Sequence, residues 1–233
     1  MTNREKDIEA DLERAERELA ADDPFWPAQL AVLVALILYI ALPDKLTLGP
    51  DWLLPAAEGL LLAGLVWASP RRRRPQPRPW RRRLALILSV LVAAANSVSL
   101  GLLIHFLVKG GKAGGYELVL SGAEIWTTAV LIFAVIYWEL DGGGPRKRAA
   151  GGGKSLPDMF SFPQWADLDM TPRQWRPMFV DYLYLSFTNC TAFSPTDTMP
   201  VKPSVKLLMM FQGFTALLTI GVIVARAISV LGG

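Results

Sequence analysis

A single cysteine, Cys190, and a single histidine, His105, occur in 233 residues. No disulfide can form within the chain, and neither a Cys/His zinc site nor a Cys–His nucleophile pair can be assembled from it. Charge is also scarce: 19% of residues are charged against 52% hydrophobic, too apolar a balance for a soluble domain of this length. A phosphate-binding loop is missing as well. The GGGKS string ending at Ser155 resembles the tail of one, but Arg148 stands where the first glycine must be, and Leu156 and Pro157 follow where a helix must begin. These absences leave no catalytic, cofactor-binding or metal-binding residues to name, and enzyme activity is not expected.

What the chain does contain is long apolar runs. Five stretches are almost free of charge: Trp26 to Leu42, Trp52 to Ala68, Leu84 to Val108, Leu118 to Leu140 and Leu207 to Leu231. At 1.5 Å per residue they reach roughly 25 to 37 Å, against a hydrocarbon core of about 30 Å. The expectation is an all-α, multi-pass protein of the cell (plasma) membrane with five transmembrane helices, and with the lipid bilayer as its first partner.

Four regions follow from composition. Residues 1–25 form a charged tail in which Ile8, Leu12, Ala15 and Leu19 share one helical face. Its first 23 residues carry four basic and nine acidic side chains, unlike a cleavable signal peptide. Residues 26–140 hold four spans. Within them, residues 71–83 contain eight arginines, which the positive-inside rule places in the cytoplasm as topological anchors. The net charge of +3 gives no reason to expect nucleic acid. Residues 141–177 read as a glycine-rich flexible linker, DGGGPRKRAAGGGK, and then an interfacial segment anchored by Phe162, Trp165 and Trp175.

Residues 178–233 carry the functional expectation. The string DYLYLSFTNCTAFSPTDTMP, Asp181 to Pro200, is too polar for a lipid-facing span, and such segments are tolerated where protein surrounds them or where they line water. It resembles the pore helix and filter of the two-span, tetrameric potassium-channel-like pore domain, through Asp181, Leu183, Tyr184, Ser186, Thr191, Asp197 and Pro200. Residues 206–229 resemble that family's inner helix, with Gly213 near its hinge glycine. The likeness covers residues 181–230, and the whole chain also resembles uncharacterised bacterial integral membrane proteins. It implies a re-entrant pore-helix-like segment, a filter-like loop of Thr191, Ala192, Phe193, Ser194, Pro195, Thr196 and Asp197, and a homo-oligomer, a tetramer if it is a channel.

The departure from the pattern falls at its centre, where Ser194, Pro195 and Thr196 replace glycine, tyrosine and glycine. A non-glycine residue in the left-handed region costs roughly 1 to 2 kcal/mol, and Pro195 holds its own φ near about −65°. A potassium-type carbonyl cage is not expected. Hydroxyls and a ring of Asp197 carboxylates would instead concentrate monovalent or divalent cations with weak selectivity. A short sixth span ending in a capping turn explains the same residues, and then the chain would be a non-conducting membrane scaffold or partner-binding protein.

Charge bears on the orientation. The family's usual orientation puts 3 basic residues inside and 20 outside. A sixth crossing gives 18 and 5, and a re-entrant loop entering from the cytoplasm gives 20 and 3. Within the spans, Glu58, Glu124 and His105 are the remaining polar candidates. Intramembrane carboxylates are costly and face protein or water. Glu124 would extend a polar path or snorkel outward, Glu58 would form a structural bond or handle ions or protons, and His105 would sit hydrogen-bonded at a span's end. A transporter using the two acids has less support, since no inverted repeat is visible.

Overall fold

The computed structural model describes residues 26–41, 59–60, 63, 79–109, 115–150, 158–165, 175–191 and 197–231. The charged tail, Glu58, most of the second apolar run and residues 192–196 lie outside them. Six helices are described: α1 (Trp26–Ala41), α2 (Pro79–Val108), α3 (Gly115–Leu140), α4 (Pro145–Ala150), α5 (Phe179–Thr191) and α6 (Pro203–Leu231). Two two-residue strands, β1 (Phe160–Ser161) and β2 (Met199–Pro200), pair antiparallel, with Phe160 opposite Pro200. The protein is mostly helical, as its composition requires.

Among the described residues three helices are long and apolar enough to cross a membrane, over Arg82–Val108, Tyr116–Gly143 and Pro203–Arg226. They correspond to the third, fourth and fifth apolar runs. The first run forms the 16-residue α1, about 24 Å long, and the second falls almost entirely outside the described residues. Prolines open α2, α4 and α6. At the first helical position a missing N–H removes a donor that would have no intrahelical partner.

Helix α3 is the axis of the molecule. It packs against α1, α2, α5 and α6, and from Ile132 to Glu139 every residue is buried. Two hydrogen bonds fix the antiparallel register of α2 on α3: Arg82 Nε donates to the Glu139 carbonyl at 2.9 Å, and Asn96 Nδ2 donates to the Ile125 carbonyl at 3.0 Å. They are fourteen residues apart on each helix, from Arg82 to Asn96 and from Glu139 to Ile125. Helix α6 is also antiparallel to α3, with Gln212 bonded to Tyr137 near one end and Ile223 against Gly122 near the other. A Cβ on Gly122 would stand 2.5 Å from Ile223 Cγ1, so that contact exists only because the residue is glycine.

The end of α3 corrects one expectation. Residues 141–150 are not a free linker: Asp141–Gly143 form a 3₁₀ turn and Pro145–Ala150 a helix. Gly142, Gly143 and Gly144 have φ of 57°, 82° and 95°, a conformation side chains resist, and this run folds the chain back on itself. Arg148, read as part of the linker, is buried; its Nη1 donates to the carbonyls of Trp138 and Asp141 at 2.7 and 2.5 Å. Residues 151–157 lie outside the described ones. Phe162 is corrected too: it is buried against Tyr182 and Trp175, with ring centroids 5.5 and 5.6 Å away, and does not face outward as an anchor.

Candidate functional site

The segment singled out by its polarity folds as α5, 13 residues or about 20 Å. Asp181 holds its first turn by accepting the Met178 N–H at 2.7 Å, the back-bond of an N-terminal capping box. Burial pushes the Asp181 carboxyl above its ordinary range, and hydrogen bonds from the Met178 and Asp181 N–H groups act in the opposite direction.

Contacts locate both ends of α5 along α3. At its start Phe179 meets Trp138, centroids 5.8 Å apart, and the Tyr182 hydroxyl donates to Asp141 Oδ2 at 2.6 Å. Further on, the Ser186 hydroxyl donates to the Val130 carbonyl at 2.7 Å and Phe187 packs edge-on to Trp126. The helix therefore runs from the C-terminal end of α3 to the level of Val130 and Trp126, about 16 to 22 Å along the axis. By Met199 the chain is back where it began. β2 pairs with β1, and the Met159 N–H next to β1 donates to Asp141 Oδ1 at 2.9 Å. Lys202 bonds Asp158 at the same end.

Between α3, α5 and α6 lies a buried polar network centred on Gln212. Its Oε1 accepts the Tyr137 hydroxyl at 2.5 Å and Asn189 Nδ2 at 2.8 Å. Its Nε2 donates to Ser186 Oγ at 2.7 Å and reaches Cys190 Sγ at 3.1 Å. Asn189 Nδ2 also donates to the Met209 carbonyl at 3.0 Å. Each donor and acceptor of the Gln212 amide has a partner, so the network fastens α5 and α6 to α3. Ser186, Asn189 and Cys190, part of the polarity that protein or water had to accommodate, point inward to it.

The expected site residues separate. Thr191 ends α5 exposed, and its hydroxyl donates to the Phe187 carbonyl at 3.0 Å. Ala192, Phe193, Ser194, Pro195 and Thr196 lie outside the described residues. Asp197 is exposed where the chain returns towards β2. Gly213 sits in uninterrupted helix, where an added Cβ would meet the Asn189 carbonyl at 3.8 Å; it packs beside the end of α5 with no bend. His105 is exposed in the last turn of α2. Glu124 is not turned outward: it is buried in α3, and its Oε2 has no hydrogen-bond partner. Among the described residues no three His, Cys, Asp or Glu side chains converge as a metal site.

Sequence reasoning passed over Tyr137, Gln212, Asp141 and Arg148. Gln212 left a readable signal, an amide inside an apolar run, which is costly in a membrane and therefore partnered. Asp141 and Arg148 left none, because glycine-rich surroundings suggested free chain.

No family model matches the chain, and no solved structure matches it. Among curated proteins it is similar to a probable membrane-anchored ferredoxin of Chromohalobacter salexigens, 33% identical over 115 residues. The match covers 45% of this chain and 15% of that protein, so the chain corresponds to a small part of its relative. With the three apolar helices, this likeness marks a membrane protein. The likeness of residues 181–230 to a channel pore remains a resemblance.

Proposed function

We propose that this is a multi-pass protein of the cell membrane whose C-terminal part is a channel-like pore module, α3, α5 and α6, passing cations with weak selectivity. One observation carries the reading: α5 ends partway along α3, beside Val130 and Trp126, and by Met199 the chain is back at the end from which α5 started. That pattern supports a re-entrant half-helix over a sixth crossing. The C-terminal end of such a helix carries about half a negative charge, and at mid-depth it favours a cation, as in other membrane proteins with broken helices.

The charged side chains support an orientation. Arg82, Lys147 and Lys202 lie at the end of α3 from which α5 enters, and the positive-inside rule assigns that end to the cytoplasm. The mouth near Asp197 then opens inward, opposite to the usual potassium-channel orientation. One half-helix cannot enclose a path, so the reading requires several copies around an axis. The faces left to meet them are Val180, Tyr184 and Phe187 on α5 and Leu207, Met210 and Phe214 on α6, all exposed.

Subunit number by native mass in mild detergent, followed by cation flux in liposomes, tests the reading. A fourfold assembly with a flux that Asp197→Asn lowers severalfold at low ionic strength is the expected result. A protein that stays monomeric or dimeric in lipid and passes no cations overturns it. The similarity to a membrane-anchored relative favours a second reading, a non-conducting anchor or scaffold. A four-cysteine iron–sulfur cluster cannot come from this chain alone, which has one cysteine; an anchor would serve a partner that holds the redox group.

A further inference from the structure

The seam between α2 and α3 holds a group that the pore reading leaves unused. Glu124 is 7% exposed and its Oε2 has no partner, and Ser99 on α2 is fully buried with an unpartnered hydroxyl. The register fixed by the Arg82 and Asn96 bonds puts Ser99 level with Gly122 and Glu124 level with Ser97, within a turn of each other. Ser121, Glu124 and Thr128 are all buried on α3 at helical spacing. Near Glu124 the residues of α3 that meet α5 and α6 are Gly122, Trp126 and Val130, with Phe133, Tyr137 and Trp138 meeting them further along. Glu124 lies about 200° round the helix from Gly122, on the side of α1 and α2.

Few charges face it. Helix α1 contains no acid or base except the phenol of Tyr39. On α2 the first ionisable group beyond Arg83 is His105, exposed at the far end. On α3 itself Tyr116 and Glu117 are exposed, Tyr137 is on the opposite face, and Glu139, also buried, lies fifteen residues or about 22 Å along the axis. Asp181, Tyr182, Tyr184 and Cys190 of α5, and Lys206 and Arg226 of α6, belong to elements packed on that opposite face. No described cation is placed to neutralise an ionised Glu124, and an uncompensated carboxylate in a membrane interior is costly. A metal ion would need several converging oxygens, whereas Ser121 already donates to the Glu117 carbonyl and Ser99 offers a single free hydroxyl. A proton needs one oxygen.

We propose that Glu124 is a proton-binding site, a neutral carboxylic acid in the α2–α3 seam that exchanges its proton with the aqueous phase, separately from the α3–α5–α6 module. Infrared spectroscopy of the full chain in liposomes tests this directly. Wild type should show a carboxylic-acid carbonyl band at neutral pH that shifts in heavy water and is missing in Glu124→Gln. A second measurement uses wild type alone: dicyclohexylcarbodiimide, which reacts with protonated carboxyls in apolar surroundings, with the adduct mapped by mass spectrometry. Labelling of Glu124 should fall about tenfold per pH unit once the acid ionises. A band identical in wild type and Glu124→Gln, a band that does not shift in heavy water, or no Glu124 adduct at any pH overturns the proposal. Protection of Glu124 by sodium at constant pH would also overturn it, in favour of a cation site.

Discussion

The Gln212 network and the α2–α3 seam, on two sides of α3, handle buried polarity in opposite ways, although Trp126 Nε1 on the network's side is also unpartnered. Towards α5 and α6, the Gln212 network pairs its groups, with bonds to Tyr137, Asn189, Ser186 and Cys190. Towards α1 and α2, Ser99 and Glu124 each bury an atom without a partner, and on the same stripe of α2 so does Ser89. Groups of both sets are buried, so the difference does not come from burial. A saturated polar network resists change, because any opening exposes several groups at once. An unsaturated one keeps a standing cost that a proton or a rearrangement can relieve.

The largest expected break in this comparison is Gln212→Leu. It strands the Tyr137 hydroxyl in the core and should cost about 2–3 kcal/mol, read as a lowered unfolding midpoint in detergent. Next comes Gly122→Val, on the same side of α3, where the branched side chain must displace Ile223; about 1–2 kcal/mol is expected. Cys190 then serves as a reporter. It is fully buried, so maleimide should label it only as fast as the α5–α6 seam opens. In Gln212→Leu, labelling should accelerate about tenfold for each 1.4 kcal/mol lost from that opening. The smallest effect belongs to the other seam: Ser99→Ala removes an unpartnered hydroxyl and should stay within about 0.5 kcal/mol of wild type. A large loss there would mean that Ser99 has a partner after all, and would remove the contrast.

The helices were legible because apolar runs leave few alternatives. The bounds of α3 and α6 lie within a few residues of those read from the chain, and polarity alone set residues 178–200 apart from the other apolar runs. The direction in which that polarity points was not legible. Ser186, Asn189 and Cys190 could be assigned neither to protein nor to water, because an isolated helix does not say which of its faces meets Gln212, twenty-two to twenty-six residues further on. The DGGGPRKR run was misread for a related reason. Glycine marks both free chain and a turn with positive φ, and only the partners of Asp141 and Arg148, which lie elsewhere in the sequence, distinguish the two.

Those partners also impose an order in time. Asp141 receives its hydrogen bonds from Met159, Phe160 and Tyr182, 18, 19 and 41 residues later. Synthesis runs from the N-terminus, so α2 and α3 emerge while this carboxylate still lacks all three donors, and Arg148 lacks the Tyr182 ring that lies 5.0 Å from its guanidinium. Closure of the basic end must wait for the first turns of α5. A nascent chain halted before Met159 would therefore expose an unsatisfied acid at the end of a finished span, a mark by which quality control could tell it from the completed protein.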